Sequence, residues 1–192
     1  MLAAYSEQHP AVVIDLEDAI SEDAARAVSL GTAELAVIGE NTEAGALETF
    51  VCHVDELVLL LPKTHPLSSE RKVSIEAALA YPIVGLGRAT SLMRQVAAGA
   101  AAVGASMRIR VQVRSIDSMC RMVAAGLGVA ILPRQGAAPH IASMGLKMTP
   151  LLGMNTERRL VLAMRSRERL SAPAQAFVEL VGRYSARLSK PA

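Results

Sequence analysis

Aromatic rings are scarce in this sequence: two Phe, three Tyr and no Trp among 192 residues. Recognition of single-stranded nucleic acid by base stacking relies on such rings, so the composition argues against it. An excess of one charge is lacking too. Twenty basic against eighteen acidic residues leave a net charge of +2, too balanced to advertise a polyanion partner. Cysteine is nearly absent. Cys52 and Cys120 lie far apart, without metal-type or Cys-x-x-Cys spacing, and read as buried thiols in a reducing compartment. The histidines, His9, His53, His65 and His140, show no ligand spacing, so no metal is expected. No run approaches the roughly 20 apolar residues of a membrane span. The N-terminus has no basic start and no apolar run of signal-peptide length. A soluble, cytoplasmic chain with no membrane partner is therefore expected. Catalytic signatures are missing as well. Ser91 lies in no Gly-x-Ser-x-Gly elbow, and Gly85-x-Gly87 is not followed by a third Gly at dinucleotide spacing. No catalytic residue and no cofactor are expected.

Hydrophobic residues make up 52% of the chain and charged residues 20%, which is the composition of a folded protein with a real core. Residues 11–17 alternate, with Val12, Ile14 and Leu16 on one face, and predict a strand. Glu22 and Asp23 in a first turn, with Gly31 as a left-handed stop, predict a helix from Ser21, read as its cap, to Leu30. Leu35–Ile38 is a short buried strand, so the opening reads β-α-β with a parallel pair. Two extended pieces follow, at 46–54 and 57–61. Ser74 caps a short helix that stops before Pro82. Ile83–Leu86 is a buried strand, and Gly87-Arg88-Ala89-Thr90-Ser91 leads into a helix ending near Gly104.

Arg108–Arg114 alternates without a break, placing Ile109, Val111 and Val113 on one face and three arginines and Gln112 on the other. Those arginines suit a solvated face or a dimer interface. Ile116, Met119, Cys120 and Val123 recur at helical spacing, ending at Gly126. Val129–Leu132 is a strand stopped by Pro133, and Pro139 begins a short helix. Leu146–Leu151 and Arg159–Met164 are strands. Ser171 and Pro173 open a last helix with a core stripe of Phe177, Leu180, Val181, Tyr184 and Leu188. Helices and strands alternate throughout, which predicts an α/β class with mostly parallel sheets.

Four segments, in this order, resemble the effector-binding (substrate-binding) domain of LysR-type transcriptional regulators. His9-Pro10 follows a helix. Gly31-Thr32-Ala33-Glu34-Leu35-Ala36-Val37 is similar to the family's G-x-x-D-x-x-I stretch, with Glu34 where Asp is usual. Leu57-Val58-Leu59-Leu60-Leu61-Pro62-Lys63-Thr64-His65-Pro66-Leu67 resembles its apolar strand and HPL turn. Met122-Val123-Ala124-Ala125-Gly126-Leu127-Gly128-Val129-Ala130-Ile131-Leu132-Pro133 resembles its most recognisable signature.

The resemblance implies a two-lobed fold like type 2 periplasmic binding proteins, with two crossing strands and a ligand cleft between the lobes. Lobe I would be residues 1–58 and 161–192, and lobe II residues 59–160. The family's first strand and its DNA-binding helix-turn-helix would lie outside these residues, so operator DNA is expected as a partner only through such an N-terminal domain. The implied function is sensing of a small, anionic metabolite such as an organic acid. The implied assembly is a homodimer or homotetramer whose geometry the effector alters. The alternative is a stand-alone small-molecule binding protein of the solute-binding type.

Candidate site residues come from strand-to-helix turns, where ligands of open α/β sheets gather. Gly87, Arg88, Thr90 and Ser91 bring backbone N–H groups, hydroxyls and a helix dipole together, which suits a carboxylate. Plain helix capping by Thr90 or Ser91 is the competing reading, and the resemblance favours binding. Arg114, Ser115 and Ser118 repeat the arrangement more weakly. Gly39, Glu40, Asn41 and Thr42 are a second polar turn, or only a loop. Thr49, near the first crossing, and Pro133, at the end of the signature, complete the expected effector-binding set.

Overall fold

A computed structural model describes residues 1–188, with side chains through residue 185. The chain divides into two compact units, one of residues 1–54 and 159–192 and the other of residues 55–158. Two long strands run through the divisions: β2 (Glu48–Pro62) and β8 (Glu157–Met164).

The first unit contains α1 (Leu2–Gln8), α2 (Ser21–Leu30), β1 (Leu35–Gly39), the start of β2, most of β8 and α7 (Ala172–Leu188). Strand β8 lies between β1 and β2 and pairs antiparallel with β1, Leu35 opposite Met164 and Gly39 opposite Leu160. Its apolar run is buried on both faces. Val161 and Ala163 pack with Ala25 and Ile38, whereas Leu162 and Met164 pack with Cys52, Val178 and Val181. A strand covered on both sides needs such a continuous apolar run. The Tyr5 hydroxyl donates to the Pro173 carbonyl at 2.7 Å and its ring meets Phe177 edge-on, tying α1 to α7.

The second unit is built on Leu57–Leu61 of β2, five consecutive residues with no exposed surface. β6 (Ala130–Pro133) and β7 (Leu146–Leu152) pair antiparallel with this stretch, and β3 (Val73–Ser74) pairs parallel with β7. β4 (Ile83–Leu86) and β5 (Ile109–Val113) form a parallel pair. Around them lie α3 (Ile75–Leu79), α4 (Ser91–Ala102), α5 (Ile116–Ala124) and α6 (Arg134–Ala137). α5 turns Met119, Cys120 and Val123 inward, as its spacing predicts, and Arg108, Arg110, Gln112 and Arg114 stand exposed on or beside β5.

Several expectations are corrected. The sheets are mixed rather than mostly parallel, because β1 takes its ladder partner from β8, far along the chain and running the opposite way. Residues 11–17 form no strand. Among the described residues no strand pairs with them, and Val13 and Leu16 stay 93% and 72% exposed. Alternation states that one face could be buried; it supplies no hydrogen-bonding neighbour.

The two extended pieces at 46–54 and 57–61 are one strand, β2. Its polar middle is anchored: Asp55 accepts the Gln135 N–H, and Glu56 accepts two hydrogen bonds from Arg134 at 2.8 and 3.1 Å. The helix expected at Pro139 begins at Arg134 and ends as a 3-10 turn over Ala138–His140. Ser21 is the first residue of α2 rather than its cap, and its Oγ accepts the Gly39 N–H instead. In α7, Tyr184 is 40% exposed and Val178 takes the buried position; the Leu188 side chain lies outside the described residues.

Candidate functional site

The turn between β4 and α4 is held by a threonine used in both directions. The Thr90 hydroxyl accepts the Met93 N–H at 3.3 Å and donates to the Gly87 carbonyl at 2.8 Å. Thr90 is therefore a true N-cap, and satisfies one of the donors that a helix start leaves without an intrahelical partner. The capping reading is correct for Thr90, but it does not account for Ser91.

Ser91 is 3% exposed and Arg158 is 9% exposed. The Arg158 guanidinium donates through Nη2 to Ser91 Oγ at 2.8 Å and through Nη1 to Gln95 Oε1 at 3.2 Å. Gln95 in turn donates to the backbone carbonyl of Glu157 at 2.7 Å. Arg158 thus connects the start of β8 with the first turn of α4. Burial lowers the Arg158 pKa from the ordinary guanidinium value, the nearby Arg94 charge lowers it further, and Asp55 works against both. Among the described residues no carboxylate lies within ion-pair distance of Arg158. Asp55, the acidic group that attracts it, already accepts the Glu56 and Gln135 N–H groups.

Arg88 is exposed at this turn. Gly87 leaves room beside itself, since a Cβ there would lie 3.4 Å from the Gln112 Nε2. The turn therefore gathers amide, hydroxyl and guanidinium donors around a helix N-terminus, an arrangement suited to a polar ligand group.

The other expected residues are placed differently. Ser115 is exposed and caps α5, its Oγ accepting the Ser118 N–H at 3.1 Å. Asp117 follows in the first turn and pairs with Arg121 at 2.8 Å. That pairing holds the Asp117 carboxyl below its usual pKa. Pro133 is half-buried, lies opposite Leu57 in the β2–β6 ladder and precedes α6. In the first unit Gly39 is buried, while Asn41 and Thr49 are exposed. Thr42 is buried with no hydrogen-bond partner for its hydroxyl among the described residues.

Sequence reasoning missed Arg158 and Gln95. The signal was there: position 158 stands two and four residues before Leu160 and Leu162, so strand alternation puts all three on one face. A cation on a core-facing register is the anomaly to look for.

The sequence profile described as the LysR substrate binding domain matches residues 1–186. A relative from Trichormus variabilis, called a probable RuBisCO transcriptional regulator, is 26% identical over 185 residues, covering 92% of this chain and 54% of its own. One from Mycobacterium leprae, called a probable hydrogen peroxide-inducible genes activator, is 24% identical and covers 95% of this chain and 59% of its own. The chain thus spans a little over half the length of the curated relatives it matches. Among solved structures, the Synechocystis CcmR regulatory domain in complex with 2-PG superposes with a TM-score of 0.85 at 18% identity, covering 94% of this chain and 86% of that one. The effector binding domain of QuiR in complex with shikimate gives 0.87 at 16%, covering 97% and 88%. This chain, with its two-lobed α/β fold of the periplasmic-binding-protein type, belongs to the LysR substrate-binding domain family.

Proposed function

We propose that this chain is the effector-sensing domain of a LysR-type transcriptional regulator, and that its small-molecule effector docks at the Gly87–Ser91 turn. The observation that carries this is the convergence there of the α4 N-terminus, the buried Ser91 hydroxyl and the Arg158 guanidinium. The family match supports it, and two proteins of the same fold have been solved in complex with small molecules, 2-PG and shikimate. Operator DNA and a dimeric or tetrameric assembly belong to the whole regulator in this reading. The chain senses and does no chemistry. The guanidinium that donates to Ser91 Oγ has only donors and cannot take a proton from it, which speaks against a nucleophilic role.

Peroxide sensing, named for some relatives, fits this chain poorly. Such chemistry needs an exposed thiolate. Cys52 and Cys120 are both buried, and burial pushes the Cys52 thiol up to about 11 and raises Cys120 as well.

The reading is tested by following the melting temperature of the domain across organic acids, amino acids, sugars and amides. A ligand at about 100 times its Kd stabilises the fold by roughly 2.7 kcal/mol, a readily visible shift. The expected result is a response to one chemical class that Ser91→Ala weakens. An identified effector whose affinity ignores both Ser91→Ala and Thr90→Ala would remove the site from this turn.

A further inference from the structure

We infer that Arg158 is the charge-selecting residue of the effector site, and that the effector presents an oxyanion, a carboxylate or a phosphate, to the first turn of α4. This rests on the docking position proposed above and adds the chemical class and the residue that sets it. A guanidinium this deeply buried is normally matched by a carboxylate, because removing a cation from water is costly. Arg158 has neutral partners instead, the Ser91 hydroxyl and the Gln95 carbonyl. The acidic group within electrostatic range, Asp55, is occupied by backbone N–H groups.

The local field is therefore positive from two sources, the Arg158 guanidinium and the N-terminal end of a twelve-residue helix. No acidic residue stands in the first turn of α4, unlike the first turns of α2, α3 and α5. A bound oxyanion would supply the missing counter-charge, and a planar guanidinium suits a carboxylate or phosphate better than a point charge does. A neutral ligand would leave the buried cation uncompensated.

The test titrates acetate and inorganic phosphate separately against sodium chloride at matched ionic strength, reading the melting temperature of wild type, Arg158→Gln and Arg158→Lys. Matched acid and amide pairs follow on the same three proteins. Wild type should show a saturable rise with at least one oxyanion, and acids should bind where their amides do not. Which arm responds separates carboxylate from phosphate. Arg158→Gln should bind about ten- to a hundredfold more weakly, the loss of one charged hydrogen-bonding partner, and Arg158→Lys should recover part of this. Should Arg158→Gln not fold, Arg158→Lys carries the comparison, since it keeps the charge and loses the fork. An equal response in wild type and variant, or no saturable oxyanion response in wild type, overturns the inference. Amides that bind as well as acids, with Ser91→Ala abolishing both, would overturn it too while leaving the effector-sensing reading intact.

Discussion

Two glycines of the second unit show how differently one residue type can be used. At Gly128 φ is +153°, and an added Cβ would come within 2.3 Å of the Pro82 carbonyl oxygen. Both the backbone conformation and the space demand glycine there. Gly87 has no such demand, and an added Cβ would meet Gln112 and Thr90 at ordinary contact distances of 3.4 and 3.9 Å. Gly128→Ala should therefore destabilise by about 2 kcal/mol or more. Gly87→Ala should stay within about 0.5 kcal/mol of wild type while narrowing the turn and weakening effector binding. Chemical denaturation and effector titration of the two variants check this.

Cys52 gives a pH dependence. Its folded pKa of about 11 lies above the ordinary thiol value of 9.0, because burial disfavours the thiolate. In the unfolded chain the thiol ionises first. This contribution is therefore complete below pH 9 and is lost as pH rises toward 11. Wild type should lose stability across that window more steeply than Cys52→Ala, measured by urea midpoints at each pH.

At the scale of elements, sequence was most legible where the signal is local. The cap Ser74, the alternation along β5 and the stripe of α5 each specify their structure within one or two turns of chain, and each is present. Residues 11–17 were illegible for the opposite reason. A strand is a relation between two segments, and a pattern in one of them does not name the other. The stripe of α7 failed at Tyr184 and missed Val178, because helical spacing marks a wide face and not which edge of it meets the sheet. Since Val13 projects into water, Val13→Lys should leave the melting temperature of this chain unchanged to within about 0.5 kcal/mol of stability. A large loss would show that the segment is paired in solution.

At the scale of the molecule, the two long apolar strands were visible as such, but their partners were not. The Leu57–Leu61 run announced two-sided burial; that β6 and β7 would flank it antiparallel followed from chain reversals no local pattern records. The candidate site divided along the same line. Gly87, Thr90 and Ser91 were legible because a strand end, small polar residues and a helix start are consecutive. Arg158 was not, because it reaches Ser91 across 67 positions of sequence.

The second unit is one unbroken stretch, residues 55–158, while the first is assembled from pieces on either side of it. Its ends also meet, the Leu57 N–H donating to the Thr156 carbonyl at 2.7 Å. During synthesis, all of its ladder partners have left the ribosome before β8 emerges. β1 must wait for Val161, Leu162 and Ala163 before it has a neighbour to pair with. Folding should therefore be ordered, the second unit forming before the first. Pulsed hydrogen exchange during refolding should protect amides at Leu59 and Leu60 before those at Val37 and Ile38. Chains truncated after residue 158 and released should already resist protease over 55–158 and remain cleavable over 1–54.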